Sequence, residues 1–267
     1  MSLELVRATA LKAANAAGGI LKEKLGRLSG IDYKGAFNIV TEADKASEAE
    51  VIRIIREQFP DHKILGEESG ALSASSSKRW LIDPLDGTTN YAHSYPFFAV
   101  SIGFEDDGDL LFGLVFNPVS NELFIAEKGK GAYLNDKRIS CSSVKTLSES
   151  LLATGFPPDT KKAAFSNMQE FHTLTDLCHG VRRDGSAALD LCFVACGRLD
   201  GFWEFKLSPW DLAAGVVIIR EAGGTVTSPF GGEFDLNSGH ILASNSNIHD
   251  EVVNALKCRS EIIIGGL

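Results

Sequence analysis

The sequence predicts an α+β fold in which an α+β half packs on an α/β half. Apolar residues recur at helical spacing over 3–25 and 41–59. Short apolar runs separated by polar turns follow over 97–134, as in an antiparallel meander. Strand-like and helix-like segments alternate after that, which indicates α/β architecture. The chain is therefore predicted to divide into halves 1–141 and 142–267 of one compact unit.

The N-terminal half begins with these two helices and continues as strands. An apolar strand is predicted over 63–66, a Ser-rich loop over 72–78 and a second apolar run over 80–82. The connections of the meander are short and rich in Gly, Asp, Asn and Pro, which are turn-forming residues. Its predicted strands cover 97–104, 110–116, 122–127 and 132–134.

The C-terminal half alternates between the two periodicities. Its predicted strands cover 151–155, 180–183, 200–205, 224–227 and 240–243. Its predicted helices cover 160–178, 186–197 and 209–222. The last residues, 261–267, are apolar, and no pattern explains them.

Composition limits the function classes. The chain has 267 residues, 44% of them hydrophobic, which is enough for a full core. Its net charge of −9 argues against DNA or an anionic membrane as the main partner. No apolar run approaches the length of a membrane span. The five cysteines are odd in number and include no C-x-x-C pair, so we expect free thiols and a cytoplasmic protein.

Two carboxylates three residues apart follow the apolar run 80–82. Pro84 stands between Asp83 and Asp86, disfavours a helix and is predicted to fix a turn. Gly87 and Thr88 follow, where backbone N–H groups can hold an anion. Carboxylates repel phosphate, but they bind Mg²⁺, which bridges to phosphate. The segment therefore indicates a metal site beside a phosphate cradle, and the alternative is an Asp-rich turn.

Three more places contribute acids at the ends of predicted elements. They are Asp44, the pair Glu67-Glu68, and Asp211. Asp44 and Asp211 each follow a Thr or Ser by three residues, as in a helix capping box. The glutamate pair also fits a solvated turn. A cap and a ligand role can coexist, because a carboxylate has two oxygens.

The chain resembles the inositol monophosphatase family of Mg²⁺-dependent, lithium-sensitive phosphatases. The match is collinear from about residue 5 to residue 257, and two motifs are highly specific. They are 80–90 (WLIDPLDGTTN) and 210–215 (WDLAAG), the latter followed by EAGG at 221–224. Weaker support comes from 41–44 (TEAD), 66–69 (GEES) and 185–190 (GSAALD). The resemblance implies a layered αβαβα sandwich of the type shared with fructose-1,6-bisphosphatases, usually assembled as a homodimer.

The resemblance also implies roles for individual residues. Two or three Mg²⁺ ions would be held by Glu67, Asp83, the Leu85 carbonyl, Asp86 and Asp211. Thr88 and Glu67 would orient the attacking water and help remove its proton, and Asp44 would support Thr88. The N–H groups of Gly87 and Thr88 would hold the phosphate. The substrate's alcohol side would be lined by Gly185, Ser186, Ala187, Glu204 and Asp211.

The expected activity is hydrolysis of a small phosphate monoester by in-line attack of a metal-activated water. The first candidate substrate is myo-inositol 1-phosphate. Within the same superfamily, fructose 1,6-bisphosphate, histidinol phosphate and a 3′-phosphoadenosine nucleotide are alternatives. A different class is a regulatory, RNA-associated protein that keeps the fold, although the net charge of −9 and the absence of a basic run speak against that as the sole function.

Overall fold

The computed structural model describes residues 3–28, 30–33, 39–72, 74–157 and 166–264. The elements of the N-terminal part are, in chain order, α1 (Leu3–Lys24), β1 (Ile31–Tyr33), β2 (Ile39–Thr41), α2 (Glu42–Gln58), β3 (Lys63–Gly66), β4 (Gly70–Leu72), β5 (Lys78–Asp86), α3 (Thr88–Ala92), β6 (Ala99–Asp106), β7 (Asp109–Asn117), β8 (Glu122–Glu127), β9 (Gly131–Leu134) and β10 (Lys137–Ile139). The remaining elements are a 3₁₀ turn (Leu147–Glu149), β11 (Leu151–Thr154), α4 (Met168–Thr175), β12 (Gly180–Arg182), α5 (Ala187–Ala195), β13 (Gly201–Glu204), α6 (Pro209–Glu221), β14 (Thr225–Thr227), β15 (Ile241–Ser244) and α7 (His249–Ile264).

Helices and sheets alternate in five layers, which confirms the predicted αβαβα sandwich. An eight-stranded sheet has the order β10-β9-β8-β7-β6-β5-β3-β4, and a five-stranded sheet has the order β12-β11-β13-β15-β14. The pair α1 and α2 covers one face of the larger sheet, while α5 and α6 lie between the two sheets. Outside the smaller sheet, α4 and α7 form the last layer.

The larger sheet brings two acidic segments to one edge. β3 and β5 pair in parallel, from Lys63 opposite Arg79 to Gly66 opposite Ile82. The carboxyl ends of parallel strands point the same way, so the residues that follow β3 lie beside the end of β5. Hydrophobic burial on both faces fixes this register, because Trp80 and Ile82 face one core cluster and Leu81 faces another.

β5 differs from the sequence prediction at Pro84. The structure has no turn there, and the strand continues to Asp86 with a shift in its register against β6 between Asp83 and Asp86. Pro84 has no N–H to donate to a ladder, so a bulge is where a strand tolerates it. The hydroxyl of Ser47 on α2 donates to the Pro84 carbonyl at 3.0 Å, and this hydrogen bond ties the bulge to the helix.

α6 sits unusually close to the larger sheet. A methyl group on Gly103 of β6 would collide with Ala213, and one on Gly113 of β7 would collide with the backbone of Ala214. Only glycine on the strands, facing alanines on the helix, permits this approach. The distance between α6 and the sheet is therefore set by hard contact.

Several local predictions need correction. The helix predicted over 160–178 ends at Thr175 in the structure, and its predicted start at 160–165 lies outside the described residues. α7 was not predicted, and it extends to Ile264 into the apolar segment 261–267, whose last residues are not described. In the described part of the chain, no helix is both long enough and apolar enough to span a membrane.

Candidate active site

One pocket of about 170 Å³ collects the predicted site residues. Every one of them except Asp44 lines it. They come from the ends of β3, β5 and β13 and from the beginnings of α3, α5 and α6. The additional lining residues are Thr154, Gly155, Arg183, Asp190 and Leu207.

The acids of the pocket repel one another. Burial raises the pKa of Asp83 well above its ordinary value, and the charges of Glu67, Asp86 and Asp211 raise it further. Burial likewise raises the pKa of Asp211, with the charges of Asp86 and Glu67 adding to the shift. The pocket therefore has an excess of negative charge that a cation would neutralise.

The first turn of α5 holds Asp86. Its Oδ2 accepts hydrogen bonds from the Ser186 hydroxyl and the Ala188 N–H, both at 2.7 Å. Burial raises the pKa of Asp86 to about 6, and these hydrogen bonds oppose the shift. Ser186 lines the pocket as predicted, but its hydroxyl is engaged by Asp86, so its role is to position that carboxylate.

Asp211 is a helix cap as well as a pocket acid. It occupies the third position of α6, and its Oδ2 accepts from the Ser208 N–H at 2.7 Å, which completes the predicted capping box. Pro209 occupies the first turn of α6, where a backbone N–H would have no partner within the helix, so its absence costs nothing. The cap uses one oxygen of the carboxylate.

Asp44 lies behind the pocket and acts on Thr88. Its Oδ2 accepts from the N–H and hydroxyl of Thr41, the predicted capping box of α2. Its Oδ1 accepts from the Thr88 hydroxyl at 2.9 Å. The Leu85 carbonyl, 3.1 Å from the same hydroxyl, is a second acceptor. The fully buried Asp44 and the Leu85 carbonyl are thus the two acceptors available to the Thr88 proton.

Gly87 makes the turn between β5 and α3 with φ of 96°, a conformation that favours glycine. A methyl group there would also lie 2.9 Å from the Phe97 carbonyl oxygen and 3.3 Å from that of Gly185. This position therefore cannot change without moving the Gly87 and Thr88 N–H groups.

Glu204, at the end of β13, also lines the pocket. The residue is 9% exposed, and burial raises its pKa to about 8, with Asp211 and Asp86 adding to the shift and Arg183 opposing it. At neutral pH this carboxyl is therefore largely protonated in the metal-free protein. A protonated carboxyl both donates and accepts, whereas a carboxylate only accepts.

Two buried acids in or next to the site, Glu48 and Asp190, were not singled out from the sequence. Glu48 on α2 accepts from the backbone N–H groups of Glu68 and Ser69, at 2.9 and 2.7 Å, and so shapes the turn that presents Glu67. Asp190 lines the pocket, and its Oδ1 is the one buried side-chain nitrogen or oxygen atom without a hydrogen-bond partner in the part of the chain that the structure describes. Burial and the charges of Asp184 and Glu204 raise the pKa of Asp190.

The donor chemistry fits Mg²⁺, although the described ranges contain no ready-made group of three Asp, Glu, His or Cys side chains at metal-binding spacing. One oxygen each of Asp83, Asp86 and Asp211 is fixed by backbone or hydroxyl donors. The second oxygen of each of these carboxylates takes no part in those hydrogen bonds. Negatively charged carboxylates repel one another and stay apart until a cation binds between them. Mg²⁺ prefers a donor set made of oxygen atoms, which these residues supply. We therefore regard the residues as compatible with the ion.

Comparisons with known proteins place the chain in a family. The model of the inositol monophosphatase family matches residues 2–261. An inositol-1-monophosphatase of Synechocystis is 49% identical over 249 residues, covering 92% of this chain and 87% of the relative. The Nus factor SuhB of Pasteurella multocida is 42% identical over 256 residues, covering 94% and 96%. The solved structure of inositol monophosphatase from Anabaena superposes with a TM-score of 0.88 at 47% identity, covering 96% of this chain and 97% of that one.

The fold and these matches define a phosphoric monoester hydrolase. The chain belongs to the inositol monophosphatase family, whose members generally depend on Mg²⁺ and act on small phosphorylated substrates.

Proposed function

We propose that the chain hydrolyses myo-inositol 1-phosphate with Mg²⁺, two or three ions at turnover, and releases inositol and phosphate. The observation that carries this is the convergence of four acids and the Leu85 carbonyl on one pocket, which Glu204 also lines. The volume, about 170 Å³, lies below the range of typical drug-sized ligand pockets and suits a small substrate. The proposed ligands are Glu67, Asp83, the Leu85 carbonyl, Asp86 and Asp211.

When bound, Mg²⁺ supplies the positive charge that lets phosphate enter an acidic pocket, and it activates water. The chain's own groups hold the reactants in place. Thr88 donates its proton inwards to Asp44 or to the Leu85 carbonyl, so its oxygen is an acceptor for the attacking water. Glu67 takes part in removing the proton from that water. The N–H groups of Gly87 and Thr88 bind the phosphate.

Glu204 serves the alcohol end of the substrate. It lies among the residues Gly185, Ser186 and Ala187, which form the adjoining wall. A largely buried carboxyl must exchange hydrogen bonds with whatever fills the pocket, and polyol hydroxyls can donate and accept. We therefore assign to Glu204 the discrimination between polyol phosphates and other esters.

The test is a hydrolysis assay on a panel of phosphates with Mg²⁺ and with excess chelator. The panel contains inositol 1-phosphate, fructose 1,6-bisphosphate, histidinol phosphate and 3′-phosphoadenosine 5′-phosphate. We expect the highest kcat/KM for inositol 1-phosphate, no turnover in chelator, and inhibition by LiCl relative to NaCl. A higher kcat/KM for another member would reassign the substrate, and no hydrolysis of any member would overturn the proposal.

A regulatory role is the second candidate, because four relatives at 42% identity are named Nus factors. That name describes the relatives. The acidic net charge makes RNA binding by this chain the less favoured reading.

A further inference from the structure

A closed hydrogen-bond network joins the ends of β11 and β13 at the wall of the pocket. The side-chain amide of Asn167 donates to the Thr154 hydroxyl at 2.7 Å and to the Gly155 carbonyl at 2.5 Å. Its carbonyl oxygen accepts from the indole N–H of Trp203 at 2.6 Å. The Thr154 hydroxyl in turn donates to the Trp203 carbonyl at 2.5 Å, which closes the ring of bonds.

The network is buried and specific. Asn167, Thr154 and Trp203 have no exposed surface. Asn167 also has a positive φ of 63° at the start of α4, a conformation that asparagine tolerates better than most residues. A buried amide that satisfies three partners in a strained backbone position is costly to replace, and its geometry allows little movement.

The network fixes Gly155 and Trp203, and these two residues determine the position of Glu204. It follows Trp203 directly on β13, and it lies beside Gly155, because Thr154 pairs with Trp203 in parallel register. A methyl group on Gly155 would overlap all three atoms of the Glu204 carboxyl group. The carboxyl group therefore rests against the backbone of Gly155, in space that exists only because this residue has no side chain.

We propose that Asn167 is a positioning residue for substrate selection, which acts by clamping Gly155 and Trp203 so that the Glu204 carboxyl group is held at the alcohol end of the pocket. The effect of Asn167 on substrate selection rests on the proposed function. It adds two residues, Asn167 and Gly155, to the determinants of specificity. Neither carries charge or touches the acids at the phosphate end.

The first experiment compares two substrates in the full-length protein with Mg²⁺. Asn167→Asp keeps the shape and the backbone tolerance but loses both donated hydrogen bonds. We expect the ratio of kcat/KM for inositol 1-phosphate to that for phenyl phosphate to fall about tenfold, mainly through KM for the polyol, as for the loss of a supporting hydrogen bond. An unchanged ratio in a folded variant would overturn the proposal.

The control is Gly201→Ala on the same strand. Its methyl group would lie 3.1 Å from the Leu152 side chain and 3.4 Å from the Ala243 carbonyl oxygen. It should perturb β13 and lower the melting temperature without changing the substrate ratio. A ratio that falls equally in this variant would show that general loosening of the strand is sufficient, and would also overturn the proposal.

The second experiment is a double-mutant cycle of Gly155→Ala with Glu204→Ala. In the wild-type background Gly155→Ala should raise KM for inositol 1-phosphate and lower the free energy of unfolding. In the Glu204→Ala background both effects of the added methyl group should be lost, because the carboxyl group is gone. If the wild type hydrolyses neither substrate, the proposed function fails, and the unfolding cycle alone decides the positioning claim. Additive losses of stability would refute it.

Discussion

Asp211 combines a helix cap with a proposed metal ligand, and one substitution separates the two. Asp211→Asn retains an oxygen for the Ser208 N–H but loses the charge. We expect a melting temperature close to that of the wild type and a loss of kcat/KM greater than about 100-fold, beyond the 10–100-fold that supporting residues cost. Steady-state kinetics and thermal melting measure both.

The matched control for Asp211 is Ser208→Ala, which removes the other side chain of the same capping box. It should cost about 1 kcal/mol of stability and leave turnover nearly intact. Asp211→Asn with turnover like that of Ser208→Ala would mean that Asp211 is only a cap.

Glu204 should make the stability of the metal-free protein depend on pH. Its pKa in the folded protein, about 8, lies above the ordinary value of 4.5. The unfolded chain therefore loses this proton at lower pH, and the contribution of Glu204 to stability is lost as pH rises from about 4.5 to about 8. Glu204→Gln does not titrate, so its free energy of unfolding relative to wild type should increase across that window by on the order of 2–4 kcal/mol.

Urea unfolding in chelator at pH 5 and pH 8 measures this difference. Glu105→Gln serves as the comparison, because Glu105 is also buried but is paired with Arg79. Parallel pH profiles of Glu204→Gln and wild type would refute the assignment of a raised pKa.

The residues that line the pocket were predictable from the sequence, but the residues that hold them in position were not. Paired acids, glycine and threonine at short spacing form motifs, and all but Asp44 of the predicted set line one pocket. Glu48 looks like a surface charge on an amphipathic helix, and Asn167 like a polar loop residue. Their partners lie 12 to 36 residues away in sequence, and such pairings follow from the tertiary fold rather than from local pattern.

At the scale of elements, the turn after β3 depends on a helix from the neighbouring layer. Glu48→Ala removes the acceptor for the Glu68 and Ser69 N–H groups and should displace Glu67. We expect turnover to fall about 10–100-fold, the usual cost of losing a group that orients a ligand. Glu48→Gln keeps one acceptor oxygen, so its turnover should lie between that of Glu48→Ala and that of the wild type.

Glu50 on the same helix is the control for this prediction. It forms an ion pair with Arg53 on the outer surface, away from the turn. Glu50→Ala should leave kcat and KM unchanged. A similar loss of activity in both alanine variants would show that α2 matters as a whole, and not through Glu48.

The prediction of elements succeeded where periodicity was strong. α1, α2 and the meander follow from apolar spacing, α5 from the alternation of strand-like and helix-like segments, and α6 from its capping box. Pro84 was wrongly given a turn, because the bulge that accommodates it depends on the neighbouring strand β6. α7 was missed, although Val252, Val253 and Leu256 have helical spacing and are buried. The antiparallel insertion of β15 between β13 and β14 has no local signature.

For the whole molecule, the fold should not require the metal. Three apolar core clusters hold the layers together without contribution from the pocket acids. We expect chelation to abolish turnover while the circular dichroism spectrum stays unchanged, and Mg²⁺ to raise the melting temperature by binding the folded state. Unfolding on chelation would show a structural metal, and full turnover in chelator would refute metal dependence.

Assembly and domain organisation stay predictions at this scale. The family resemblance implies a homodimer, which sedimentation at micromolar concentration measures directly. A monomer that retains full kcat would show that dimerisation, if it occurs elsewhere in the family, is not needed for this pocket. The division into halves 1–141 and 142–267 can be examined by limited proteolysis.

The pocket draws its acids from separate layers: Glu67, Asp83 and Asp86 from the larger sheet, Asp190 and Asp211 from α5 and α6, and Glu204 from the smaller sheet. A chain severed near residue 141 would consequently yield two inert pieces, each holding an incomplete acid set. Turnover would return only when the pieces recombine with α6 seated on Gly103 and Gly113. Hydrolysis of a chromogenic phosphate could then serve as a sensor that reports when two proteins fused to these pieces meet.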